Sequence, residues 1–175
     1  FTGEEGVVNK VYKLGSLEWE KVKSRVKGKV QDMARELLEL QAKREKEKGY
    51  AFSEDTSFQK EFEDQFAYTP TKDQLLVTKQ IKDDMEKPYP MDRLLIGDVG
   101  YGKTEVAFRA VFKAVMDGKQ VLFLCPTTIL SNQHYENAKE RFSSFPVEIG
   151  LLNRFTTQKE KTRILTGLQD GTIDF

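Results

Sequence analysis

The sequence predicts an α/β fold: a parallel sheet with flanking helices, incomplete in this chain, built around a phosphate-binding loop and preceded by a long helical linker. Three observations carry this expectation. From Met91 onward, short apolar runs alternate with helical patterns of ten or so residues, the grammar of βαβ units. One of those runs, Leu94-Leu95-Ile96, ends in Gly97-Asp98-Val99-Gly100-Tyr101-Gly102-Lys103-Thr104. Far ahead of it, Trp19, Val22, Val26, Val30, Met33, Leu37 and Leu40 recur at spacings of three and four, one stripe of a long helix.

That helix opens at Ser16, with Glu18 and Glu20 near its start and Lys46 and Lys48 near its end, as a helix dipole favours. Gly49 is the expected stop. At about 1.5 Å per residue it would be roughly 45–50 Å long, a connecting rod between two bodies. Gly28 within it costs about 1 kcal/mol relative to alanine. Lys21, Lys23, Arg25, Lys27 and Lys29 read first as a solvated face, and only second as a phosphate contact. Ahead of the rod, GVVNKVYKL suggests a short strand.

A second helix is expected from Thr56, where Thr56-x-x-Gln59 resembles a capping box and Phe58 and Phe62 share a face. Pro70 breaks the pattern, and Gln74 to Met85 is helical again. Then come strands at 93–96, 121–125, 147–152 and 172–175. Between them lie helices at 104–117, 130–142 and 158–168, the first with Val106, Ala107, Ala110, Val111, Ala114 and Val115 inward. The resulting division is a β-domain tail at 1–14, the rod at 15–50, a helical linker at 51–90 and the sheet at 91–175.

Composition narrows the partners. The 175 residues hold 28 Lys+Arg and 28 Asp+Glu, so no global field draws the chain to nucleic acid, and any such contact is local. With 32% charged residues and a mean hydropathy of −0.57, much exposed helix is expected. One cysteine, Cys125, fits a reducing cytosol and reads as a small buried hydrophobe. No apolar run approaches membrane-spanning length, so a cytoplasmic protein with no membrane partner is expected. Phe1 in place of a start methionine, and TIDF as an interrupted strand, suggest a piece of something larger.

Gly97-x-x-x-x-Gly102-Lys103-Thr104 is a complete Walker A pattern. Phosphate oxygens must be met by several backbone N–H groups in one concavity, where the chain passes too close for a Cβ and some residues take positive φ. The following helix directs its positive end at the same anion. Residues Gly97 to Glu105, with Asp98, Val99, Gly100, Tyr101 and Gly102 between, are the candidate cradle. Lys103 would bridge the β- and γ-phosphates of ATP, and the Thr104 hydroxyl would ligate Mg²⁺. Lys103 and Thr104 are the candidate catalytic residues, and Thr104 is the one candidate metal ligand.

Upstream, Phe66-Ala67-Tyr68-Thr69-Pro70-Thr71-Lys72-Asp73-Gln74 lies at the distance of the Q-motif of superfamily 2 helicases. A glutamine amide can read the edge of adenine, and an aromatic eight residues earlier can stack on it. Downstream, Pro126-Thr127-Thr128-Ile129-Leu130 with Gln133 resembles motif Ia of that superfamily, which holds nucleic-acid phosphates. A plain N-cap at Thr128 or Ser131 explains the turn as well. His134 reads as a helix-surface histidine, since no second metal ligand is near.

MDRLLIGDVGYGKTEVAFRA, DGKQVLFLCPTTILSNQHYENAKERF and GLLNRFTTQKE together resemble the transcription-repair coupling factor family of double-stranded DNA translocases, with a RecA-like motor. LGSLEWEKVKSRVKGKVQDMARELLELQAKREKEKGYAF resembles that family's relay helix, which leads from an RNA-polymerase-interacting domain into the motor. The resemblance implies that Phe66 stacks on adenine, that Gln74 reads its edge, and that Thr127, Thr128, Gln133 and Arg154 lie by the DNA backbone. It implies double-stranded DNA and RNA polymerase as partners, with excision-repair proteins engaged through other parts of the parent. Asn153 stands where typical members have serine, which touches one polar DNA contact. After Thr104 no Asp-Glu pair follows an apolar strand, so a nucleotide-binding piece without turnover is one alternative. Another superfamily 2 motor, RecG-like or DEAD-box, is the other.

Overall fold

The computed structural model describes residues 16–175; the strand expected in GVVNKVYKL and the tail at 1–14 lie outside the described residues. The chain divides into two compact units, one ending at Glu47 and the other spanning Lys48–Phe175.

In the first unit, helix α1 runs Leu17–Lys46. Ser16 caps it, its Oγ accepting the Trp19 N–H at 3.2 Å. Glu18 and Glu20 lie in the first turn, and Lys43, Arg44 and Lys46 in the last, each complementing the dipole. The helix stops at Glu47 rather than at Gly49. No residue of α1 is buried, and Val26, Val30, Met33, Leu37 and Leu40 are all exposed. The basic run is exposed too, with Lys23 on Glu20 at 2.5 Å.

The second unit is organised by five helices: α2 (Ser57–Asp64), α3 (Lys72–Met85), α4 (Lys103–Met116), α5 (Thr128–Arg141) and α6 (Gln158–Asp170). Helix α4 is central. Its Val106, Val111, Ala114 and Val115 are buried as the apolar pattern predicts, with Ala107 and Ala110 half-buried. Phe108, Phe112, Glu105, Arg109 and Lys113 are buried as well, which that pattern does not predict. The reason is packing from several sides. Both α2 and α3 pack on α4, and α5 supplies Ala138 and its C-cap Phe142 to the same core. Phe62 of α2 is wholly buried, stacked on Phe112 with ring centroids 4.3 Å apart and tilted against Phe142 at 4.9 Å. Phe58, expected to share its face, is exposed.

Because α4 is enclosed, its charges must be paired. Glu105, Arg109 and Lys113 fall at four-residue intervals along one stripe. Arg109 Nε donates to Glu105 Oε1 at 2.9 Å. Lys113 Nζ donates to Ser53 O at 2.6 Å, Glu86 Oε1 at 2.8 Å and Asp55 Oδ1 at 3.0 Å. Lys82 of α3 bonds Asp55 at 2.5 Å and also pairs with Glu63 of α2. Burial alone would raise the Asp55 pKa, but hydrogen bonds from Lys82 and Lys113 outweigh it and hold the carboxyl below its ordinary 3.8. Burial alone would lower that of Lys113, and its bonds to Glu86 and Asp55 raise it instead.

The four segments expected as strands carry no β-strand among the described residues. Residues 93–96 make no backbone hydrogen bond to any described residue, and of 121–125 only Val121 does. Their side chains nevertheless alternate. Leu95, Val121 and Phe123 pack on the helices, while Leu94, Ile96, Leu122 and Leu124 are each about four-fifths exposed (79–83%). A one-sided apolar alternation of this kind lacks the neighbouring backbone that a ladder requires. Among the described residues, backbone pairing of these segments gathers around the last one. The Val121 N–H donates to Asp174 O at 2.8 Å, that of Asp174 to Glu148 O at 2.9 Å, and that of Gly150 to Phe175 O at 2.7 Å.

Two stability outcomes follow from this packing. Phe62→Ala is expected to lower the unfolding free energy by about 3–5 kcal/mol, measured by urea titration. An Asp55 carboxyl held low in the fold stabilises it above the unfolded pKa, and that contribution is lost as pH falls through the folded value. Thermal melts of Asp55→Asn should therefore decline less steeply than wild type between about pH 5 and pH 3.

Candidate nucleotide and nucleic-acid site

The loop 97–102 leads into α4. Gly100 has φ +83° and Gly102 φ +73°, backbone that a side-chain-bearing residue adopts only at a cost. Gly102 is also the N-cap of α4, and a Cβ there would meet Gln74 Nε2 at 2.5 Å. The backbone N–H groups of Gly100, Gly102, Lys103 and Thr104 bond no other described residue. Those unpaired donors, at the positive end of a 14-residue helix, make an anion-binding cradle. Lys103 Nζ lies across the loop, donating to Gly97 O at 2.6 Å and Asp98 O at 2.7 Å. The ammonium is held by two neutral carbonyls, which an anionic phosphate would outcompete.

Gln74 is brought against this loop by a capping box at the start of α3. Thr71 Oγ1 accepts the Gln74 N–H at 3.2 Å, and Gln74 Oε1 accepts the Thr71 N–H at 2.8 Å. Its Nε2 then donates to Tyr101 O at 2.9 Å, tying the upstream motif to the phosphate loop. The box expected at Thr56 is only half made. Thr56 caps α2, but Gln59 turns inward, donating to Glu63 at 2.7 Å and Arg109 O at 3.2 Å.

Glu105 was expected in the cradle, and its side chain is not there. It is 8% exposed and faces the interior, where Arg141 of α5 grips it twice: Nη2 to Oε1 at 2.9 Å and Nε to Oε2 at 3.0 Å. A carboxylate aimed at phosphates would repel them; turned inward, it steadies the first turn of α4. Arg141 also donates to Phe62 O at 2.6 Å. Half-buried Phe66 sits with the guanidinium carbons of both Arg109 and Arg141 5.7 Å from its ring centroid. Arg109 and Arg141 thus join the upstream aromatic to the phosphate-loop helix, a role the sequence reading missed. The signal that could have found Arg109 is the charged stripe Glu105, Arg109, Lys113 in a helix apolar elsewhere.

On the other side, Thr127 rather than Thr128 or Ser131 caps α5, its Oγ1 accepting the Leu130 N–H at 3.3 Å. Thr127, Thr128, Ser131, Asn153 and Arg154 share the wall of one cavity of about 510 Å³. Gln133 is exposed and does not line it. His134 is half-buried rather than on the surface, its ring 5.1 Å from that of Phe123. Cys125 is likewise half-buried, and burial raises its thiol pKa.

A glycine cradle at a helix start, a lysine across it and a glutamine clamped to it are the parts that a phosphate-binding loop requires. A family model described as DEAD/DEAH box helicase matches residues 71–173, and the chain belongs to that family. It is 58% identical over 174 residues to the transcription-repair-coupling factor of Bacillus subtilis (strain 168). It is 53% identical over the same length to that of Staphylococcus aureus (strain USA300). Each match covers 99% of this chain, which spans 15% of the relative's length. A solved structure of RecG bound to a three-way DNA junction matches with TM-score 0.73 and 38% identity, over 78% of this chain and 19% of that one. No described helix is long and apolar enough to cross a membrane.

Gln74→Ala removes the Nε2 bond to Tyr101 O and half of the capping box. ATP binding by the 175-residue chain, followed by calorimetry, should weaken about tenfold, one hydrogen bond's worth.

Proposed function

We propose that this chain is the ATP-binding part of an ATP-driven translocase on double-stranded DNA. Its parent would couple transcription to nucleotide excision repair by displacing stalled RNA polymerase. The observation that carries the nucleotide half is the loop 97–104, with its unpaired N–H groups and the Lys103 ammonium. Similarity across 99% of the chain, long helix and phosphate loop together, supports the rest. The RecG likeness favours a second reading, a motor on branched DNA, but it covers less of the chain at lower identity. Excision-repair partners, engaged outside this chain, and a cytoplasmic location belong to the same proposal.

In this reading the N–H groups of Gly100, Gly102, Lys103 and Thr104 donate to the phosphates, and Lys103 leaves its carbonyls to bridge the β- and γ-phosphates. Phe66 and Gln74 take the adenine. Mg²⁺ would supply neutralisation of phosphate charge, and the Thr104 hydroxyl is the side chain here that would hold it. Thr127, Thr128, Gln133 and Arg154 face the DNA backbone. The RecA-like parallel sheet is part of the proposal, supported by the bonds joining Val121, Glu148, Gly150 and residues 174–175. So is the division into a tail at 1–14, relay helix at 15–50, linker at 51–90 and motor lobe at 91–175, for which α1 is the best support. In isolation the chain binds ATP without sustained turnover, since it carries no Asp-Glu pair after Thr104 to activate water.

Lys103→Ala in the full-length parent should reduce duplex-DNA-stimulated ATP hydrolysis at least a hundredfold, measured by phosphate release. Unchanged turnover in that variant would overturn the assignment.

A further inference from the structure

The 151–157 segment carries Arg154 and the exposed ring of Phe155, with the Arg154 guanidinium 4.7 Å from that ring's centroid. Between this turn and α5 runs a set of polar bonds centred on Asn153. Its Oδ1 accepts the Phe155 N–H at 2.8 Å, and its own N–H donates to Thr156 Oγ1 at 2.9 Å. Thr156 closes the turn, its N–H donating to Asn153 O at 3.1 Å and its hydroxyl to Leu151 O at 3.1 Å. The Asn153 Nδ2 then crosses to α5, donating to Asn132 Oδ1 at 2.9 Å and to Ser131 Oγ at 3.4 Å. Ser131 Oγ in turn donates to Thr128 O at 2.9 Å, inside the first turn of α5.

Both Nδ2 hydrogens and the Oδ1 are therefore engaged within the chain. An Asn153 side chain so occupied is not a free contact for an external phosphate. It fixes the turn internally through the Phe155 N–H, and it fixes that turn's distance from the α5 start, where Thr127 and Thr128 lie. We infer that Asn153, with Asn132 as its anchor, is a positioning residue: it holds Arg154 at a set spacing from the α5 N-terminus so that both meet one nucleic-acid backbone. This inference rests on the reading of Arg154 and the α5 start as the DNA-facing side.

The reason to expect an effect is geometric. Arg154 is on the surface and long, so without a fixed turn its charge samples many positions, and ordering it on binding costs side-chain and backbone entropy. A turn held at both ends has already lost that freedom.

The test uses the 175-residue chain and a fluorescein-labelled duplex of about 20 base pairs, two helical turns. Asn153→Ala and Asn132→Ala should each weaken duplex binding about three- to tenfold, and Arg154→Ala at least as much. The double variant Asn153→Ala/Arg154→Ala should bind no more weakly than Arg154→Ala alone, because residues acting through one another are not additive. Additive losses would mean that Asn153 touches DNA itself and would overturn the inference. So would a matching loss of ATP affinity, the mark of general structural damage. Tryptic cleavage after Arg154 supplies a readout independent of DNA. It should accelerate several-fold in Asn153→Ala and Asn132→Ala, and an unchanged rate overturns the clasp. Faster cleavage with no duplex binding by the wild-type chain would refute the DNA-facing reading while leaving the clasp's hold on the turn standing.

Discussion

Everything in the larger unit depends on the enclosure of α4. The helix that starts at the phosphate cradle is packed by α2 and α3 and by the aromatic cluster of α5, and it has no solvated face along most of its length. A buried helix can carry charge only if each charge meets a partner, since a lone buried ion costs several kcal/mol. Its stripe of Glu105, Arg109 and Lys113 therefore dictates where the neighbouring elements may sit. Arg141 must reach Glu105 from α5, and Asp55 and Glu86 must reach Lys113 from the segment before α2 and the end of α3. Each pairing is satisfied at ordinary hydrogen-bond distances.

This arrangement links the packing to the site. Replacing the ion pairs by apolar residues could fill the same space at no loss of stability, but charge pairs specify direction as well as contact. Arg141 grips both oxygens of the carboxylate next to Thr104, bonds the carbonyl of Phe62 and lies near Phe66. The start of α4, the end of α2 and the upstream aromatic are thereby held by one guanidinium, whose five donors in a rigid fork suit it to several acceptors at once. Gln74 makes the corresponding link from α3 to the loop itself. The cradle's shape is thus set by two polar clamps behind it, and its chemistry by the N–H groups and Lys103 in front.

Much of the site was legible from spacing. Walker A names part of its own geometry, because glycine is the residue that takes the positive φ found at Gly102 with least strain. Ser16, Thr56 and the α3 start all behave as caps, and helix spans agree with the periodicity to within a few residues. The misreadings have a common cause. Glu105 was placed in the cradle because it adjoins Thr104, yet one residue along a helix turns a side chain by about 100°, enough to carry it from ligand to core. Phe58 and Phe62 are four apart, but only one of them meets α4. Segments 93–96 and 121–125 keep a strand's alternation with almost no backbone pairing, since alternation is local while pairing needs a second backbone in reach.

The sequence by itself determined the phosphate loop, the helices with their caps, and the family likeness, because each is encoded in residues near one another along the chain. Tertiary structure alone decided which charges are buried, which glutamine of two completes a capping box, and that the Asn153 amide reaches Asn132 across 21 positions. Those outcomes depend on which surfaces are excluded from water. Exclusion is a property of the packed helices together, and no local pattern of residues contains it.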